Sequence, residues 1–106
     1  MTPEEKEELR EEVIAALQDV YDPEIPVDIY KLGLIYNIDI SDTADVAVRM
    51  TLTTPNCPAA QSLPEEVKQK TAGLDGVNSA EVEVVFDPPW TMEKMDDAAK
   101  LTLNIL

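Results

Sequence analysis

The sequence predicts an α+β fold: a two-layer sandwich with helices on one face of a small sheet, mixed or antiparallel. Three observations predict it. An apolar stripe at helical spacing opens the chain, period-two alternation recurs in three later segments, and a second helical segment separates the last two of these. The resulting order, α-β-β-α-β with a short C-terminal helix or strand, suits helices segregated to one side of a sheet. The 106 residues are expected to form one domain, 1–106, with a hydrophobic fraction of 44% that is ample for a core.

Thr2-Pro3-Glu4-Glu5 starts the first helix. Thr2 is a cap, Pro3 suits the first helical position, and Glu5 completes a capping box. Leu9, Val13, Leu17 and Val20 then draw one stripe. The helix is expected to stop near Tyr21, because Asp22 precedes Pro23 and is pushed out of the helical region. After the loop YDPEIPVDIYKLG, with carboxylates Asp22, Glu24 and Asp28, a strand is expected to carry Leu34, Tyr36, Ile38 and Ile40 on one face. Gly33 relieves a backbone constraint at its start.

SDTAD (41–45) is a turn by composition. Val46, Val48, Met50 and Leu52 alternate with Ala47, Arg49, Thr51 and Thr53, so the two strands most simply make a hairpin. Pro64 leaves two readings of the segment after Cys57: a kinked helix over 58–72, or a turn and then a helix from 63 capped by Ser62 and Glu65. Gly73 and Gly76 end it. Ala80, Val82, Val84 and Phe86 form a third strand, stopped by DPPW at 87–90. Asp96 caps a last helix carrying Leu101 and Ile105, unless Leu101, Leu103 and Ile105 alternate as a strand. Ala47, Arg49, Thr51, Glu81 and Glu83 are expected on the wet face of the sheet.

Eight basic residues against 22 acidic ones give a net charge of −14, which opposes binding to nucleic acid or to an anionic membrane surface. No apolar run approaches the ~20 residues of a membrane span. The acidic N-terminus lacks the marks of a signal peptide, and one cysteine permits no internal disulfide, so a cytoplasmic setting is expected. The chain has no histidine, which removes Cys–His and Ser–His–Asp catalysis and the usual zinc ligand sets.

The one cysteine, Cys57, lies in TTPNCPAAQ, between a strand end and a helix start. Unpaired N–H groups at a helix start stabilise a thiolate, the form that binds soft metals or attacks electrophiles. The alternative is a small apolar residue in the core. Trp90 reads as an anchor at the core edge or as an exposed binding platform, and Asp22 and Glu24 as turn chemistry or as hard ligands beside the thiol.

Three blocks in order, DPEIPVDIYKLGLIYNIDI (22–40), MTLTTPNCPAAQSL (50–63) and VVFDPPWTMEKM (84–95), resemble the SufT/PaaD-like family of iron–sulfur cluster assembly factors. The resemblance covers nearly the whole chain. It implies an α+β fold and maturation or carriage of iron–sulfur clusters rather than turnover of a metabolite. The lack of any extension implies a stand-alone SufT-like domain, and PaaD's additional C-terminal cysteines are missing here, so a role in the phenylacetyl-CoA oxygenase complex is not expected. The family's T-x-P-x-C-P cysteine maps onto Cys57, its D-P-E loop onto Asp22, Pro23 and Glu24, and its D-P-P-W loop onto Asp87 through Trp90. The supporting loop candidates are thus Asp22, Glu24, Thr54, Asn56, Asp87 and Trp90. Pro64 interrupts a stretch that looks continuously helical in relatives.

Clusters normally take four protein ligands, mostly thiolates, and one chain offers one. The expected cofactor is therefore an iron–sulfur cluster held transiently or shared. Cys57 would be one ligand, completed by a second copy of the chain, a partner or a small thiol. The partners implied are iron–sulfur assembly proteins and apo-protein clients. Two rivals remain: an interaction adaptor working through the acidic loops and Trp90 with Cys57 structural, and a thiol enzyme activated by a helix N-terminus.

Overall fold

The chain opens as its caps dictate. In the computed structural model, which describes residues 1–22, 25–53 and 59–103 (59–61 by backbone alone), α1 spans Pro3–Leu17. The Thr2 hydroxyl accepts from the Glu5 N–H at 3.1 Å while the Glu5 carboxylate accepts from the Thr2 N–H at 3.0 Å. That reciprocal pair satisfies two N–H groups that the helix itself leaves unpaired. Helix α1 stops at Leu17, four residues before the stop expected near Tyr21. Asp19 and Val20 donate instead to carbonyls three residues back, Ala16 and Leu17. This tighter winding still buries Val20.

Three strands come next: β1 (Ile35–Ile40), β2 (Asp45–Met50) and β3 (Ser79–Val84), in the order β1-β2-β3. β1 and β2 form the antiparallel hairpin, with Ile38 opposite Val48. β2 and β3 are parallel, with Val46 opposite Ala80 and Val48 opposite Val82, so the sheet is mixed. A parallel pair needs a crossover, and α2 (Ala59–Ala72) supplies it. Helix α2 runs through Pro64, the longer of the two expected readings; Ser62 is then a helical residue, not a cap. Pro58 lies outside the described residues. After β3, a turn of 3-10 helix at Met92–Lys94 leads into α3 (Asp97–Thr102), capped by the Asp96 carboxylate on the Ala99 N–H at 2.8 Å. The tail is therefore helical as far as Thr102, with Leu103 as its C-cap. Leu101 is 64% exposed, while Ala99 is the α3 residue that is buried; Ile105 lies outside the described residues.

The core lies between helices and sheet. Leu9, Val13 and Leu17 of α1 and Leu63 and Val67 of α2 meet Ile38, Val46, Val48 and Met50. The loop between α1 and β1 adds Val27, Ile29, Leu32 and Leu34. The opposite sheet face carries Asp39, Ala47, Arg49, Glu81 and Glu83, all exposed, which leaves one side wet as alternation predicts.

Three expectations fail locally. Thr51 is fully buried, not on the wet face. It succeeds the last residue of β2, and its N–H donates to the Leu34 carbonyl at 2.8 Å. Tyr36 does not share the core face with Ile38, because the register shifts between Ile35 and Asn37 and leaves Tyr36 as the extra residue of a bulge. Phe86 lies beyond the end of β3 and is 47% exposed.

Candidate functional site

Strand directions decide where the three sequence blocks meet. β1 runs antiparallel to β2, and β3 runs parallel to it, so the start of β1 and the ends of β2 and β3 share one end of the sheet. The ladder continues there, with Thr51 N–H on the Leu34 carbonyl and Val85 N–H on the Met50 carbonyl, both at 2.8 Å. Residues 25–34, 51–53 and 85–95 therefore converge. The β1–β2 turn and the start of β3 lie at the opposite end, where the Asp45 carboxylate accepts from the side chains of Thr43, Asn78 and Ser79. These hydrogen bonds favour the charged form and pull the Asp45 carboxyl down to about 2.

At the convergent end, residues 85–95 are strapped to the loop before β1. The Trp90 indole N–H donates to the Leu32 carbonyl at 2.7 Å, the Tyr36 hydroxyl donates to the Pro88 carbonyl at 2.7 Å, and Asp96 N–H donates to the Lys31 carbonyl at 2.9 Å. Gly33, at φ +85°, permits the closest approach: a Cβ there would stand 2.3 Å from the Lys94 carbonyl oxygen. The Lys94 ammonium lies 5.1 Å from the Tyr36 ring centroid, in cation–π range. Burial pushes the Tyr36 phenol up, and the nearby Thr51 hydroxyl offsets part of that. The two hydroxyls do not form a hydrogen bond of ordinary geometry, and the Thr51 Oγ1 is buried without a partner among the described residues.

The structure puts the predicted site residues in different settings. Asp22 is buried, and its carboxylate accepts from the Ile25 N–H at 3.1 Å. Asp28 is buried too, accepting from the Lys31 N–H at 3.0 Å with the Lys31 ammonium 3.4 Å away. Trp90 is half-buried at the core edge and Asp87 is exposed. Glu24, Thr54, Asn56 and Cys57 lie outside the described residues. Thr53 and Ala59 bracket the segment that carries Cys57. Among the described residues, no three His, Cys, Asp or Glu side chains form a metal-sized group. No described helix is long and apolar enough to cross a membrane.

Sequence reasoning did not find Tyr36, Lys94 or Arg49. They line an open groove of about 600 Å³ with Gly33, Asn37 and Asp87. Only the bulge, which no periodicity announces, turns Tyr36 toward it. A second cavity, of about 680 Å³, lies between α1 and α2 and shares no residue with the three blocks.

A mixed three-stranded sheet under two helices, with the described parts of the three sequence blocks at one end, defines a small α+β class. The sequence profile of the family described as iron-sulfur cluster assembly protein matches residues 10–84, and the chain belongs to that family. It is 45% identical over 96 residues to an Fe-S protein maturation auxiliary factor of Porphyromonas gingivalis, covering 91% of each chain. It is 37% identical over 86 residues to the Fe-S protein maturation auxiliary factor SufT of Staphylococcus aureus, covering 81% of this chain and 98% of that one. A crystal structure of a domain of unknown function from Bacillus anthracis superposes with a TM-score of 0.87 at 37% identity, covering 94% of this chain and 95% of that one. The resemblance read from the three blocks is thereby upheld.

Proposed function

We propose that the chain, working as one domain over residues 1–106, is an auxiliary factor in the assembly or maturation of iron–sulfur proteins. Cys57 serves as a transient ligand of the cluster in passage. The observation that carries the reading is family membership across residues 10–84, a stretch that contains the chain's one cysteine. Relatives named as Fe-S protein maturation auxiliary factors support it.

The donor set fits a cargo better than a resident group. Four ligands are normal for a cluster, and this chain supplies one thiolate and no imidazole. The remaining ligands come from outside, from a second copy, an assembly protein, an apo-protein client or a small thiol. A ligand set completed by others is weakly held by any one of them, which suits transfer. The role is handling of a cluster, not turnover of a metabolite.

The test is maturation in cells. In a strain lacking this protein, the activity of a cluster-dependent enzyme should fall and be restored by the wild-type chain but not by Cys57→Ser. Full rescue by Cys57→Ser would remove the thiol from the mechanism.

A further inference from the structure

The groove formed by Tyr36, Asn37, Arg49, Asp87 and Lys94 carries charge that the protein itself does not neutralise. Lys94 has no carboxylate within 4.0 Å among the described residues, although the chain holds 22 acidic side chains. Among the described residues Arg49 meets only the Glu83 carboxylate, at 3.9 Å, with both side chains more than half exposed. Such a pair contributes little and leaves the guanidinium free to grip a carboxylate in its bidentate geometry. Asp87 lines the same groove and forms no ion pair among the described residues.

We propose that this groove binds a small zwitterionic ligand of the amino-acid type, its carboxylate on Arg49 and Lys94 and its ammonium on Asp87. Two cations and one carboxylate around a single groove complement that combination. The net charge of −14 disfavours a polyphosphate or another multiply charged anion. The volume of about 600 Å³ suits a small molecule. The Tyr36 hydroxyl, held on the Pro88 carbonyl at 2.7 Å, fixes one wall. Resting on the function proposed above, the member of this class used there is a thiol, whose sulfur supplies a further cluster ligand.

Two probes separate the parts. Reduced glutathione and S-methylglutathione are titrated into isotopically labelled Cys57→Ser protein, so that binding is read without any cluster. Both should give saturable shifts at the amides of Tyr36, Asn37 and Lys94. Arg49→Gln/Lys94→Gln, checked for a dispersed, folded spectrum, should bind about tenfold more weakly, the effect of losing about 1.4 kcal/mol. No saturable shift at millimolar ligand, or equal binding by the double variant, overturns the site. Cluster loading of the wild-type chain is then compared with each probe present. Glutathione should raise it and S-methylglutathione should not; equal loading overturns the thiol assignment, while the Cys57 reading keeps its own test in cells.

Discussion

Trp90 and Leu32, 58 residues apart, are joined by a hydrogen bond of 2.7 Å from the indole N–H to the backbone carbonyl. That bond ties the DPPW segment to the loop before β1, and it makes Trp90 a structural anchor. Trp90→Phe should cost about 1 kcal/mol through the unpaired carbonyl. Trp90→Ala should cost about 3 kcal/mol by removing the ring as well. Denaturant unfolding followed by circular dichroism measures both. If neither variant shifts the midpoint, the ring is not holding the segment in place, and the adaptor reading regains its recognition residue.

Gly33 and Gly76 both hold positive φ, +85° and +90°, yet they differ in surroundings. Around Gly76 nothing lies within 4 Å of an added Cβ, whereas at Gly33 the Lys94 backbone blocks it. Gly76→Ala should cost only the conformational term, about 1 kcal/mol. Gly33→Ala should cost clearly more, about 3 kcal/mol, because the turn at Met92–Lys94 must also move. Equal losses would show that the strap does not press on Gly33.

Pro64 sits in the second turn of α2 and cannot donate to the carbonyl four residues back. Pro64→Ala restores that donor and a better helix former. It should raise stability by at least about 1 kcal/mol. Thermal unfolding checks this, and a lower midpoint would mean that α2 depends on the proline's shape.

Asp45 gives the pH dependence its sign. Its carboxyl is held at about 2, below the ordinary value of 3.8, by hydrogen bonds from Thr43, Ser79 and Asn78. A group with a depressed folded-state value stabilises the fold above its unfolded value and loses that contribution as pH falls from about 4 towards 2. Asp42, beside Lys6, and Glu5, in the capping box, are lowered in the same direction. Stability should therefore fall over that window, and Asp45→Asn should flatten the fall. Parallel acid titrations of the two proteins would show it.

Much of this arrangement is legible in the sequence because it depends on local chemistry. The capping box of Thr2 and Glu5, the period of β2 and the Asp96 cap all act over a few residues, and each stands where its pattern places it. What escapes is set by contacts distant in sequence. Tyr36 leaves the core face because a bulge absorbs it, and Thr51 is buried beyond the last residue of β2. Lys94 reaches Tyr36 only once Gly33 lets the backbones close. Of the candidate site, the convergence of three loops comes from strand directions, which α2 fixes by making β2 and β3 parallel. No single motif marks the groove with Arg49 and Lys94, since its residues come from β1, β2, the DPPW segment and the turn at Met92–Lys94.

Anaerobic reconstitution with iron and sulfide, followed by visible absorption and iron analysis, tests the central claim most directly. The wild-type chain should acquire the charge-transfer absorption of a cluster, with fewer than one cluster per chain because each chain gives one thiolate. Cys57→Ser should acquire none. Matching spectra and iron content in the two proteins would contradict the assignment of Cys57 as the cluster ligand.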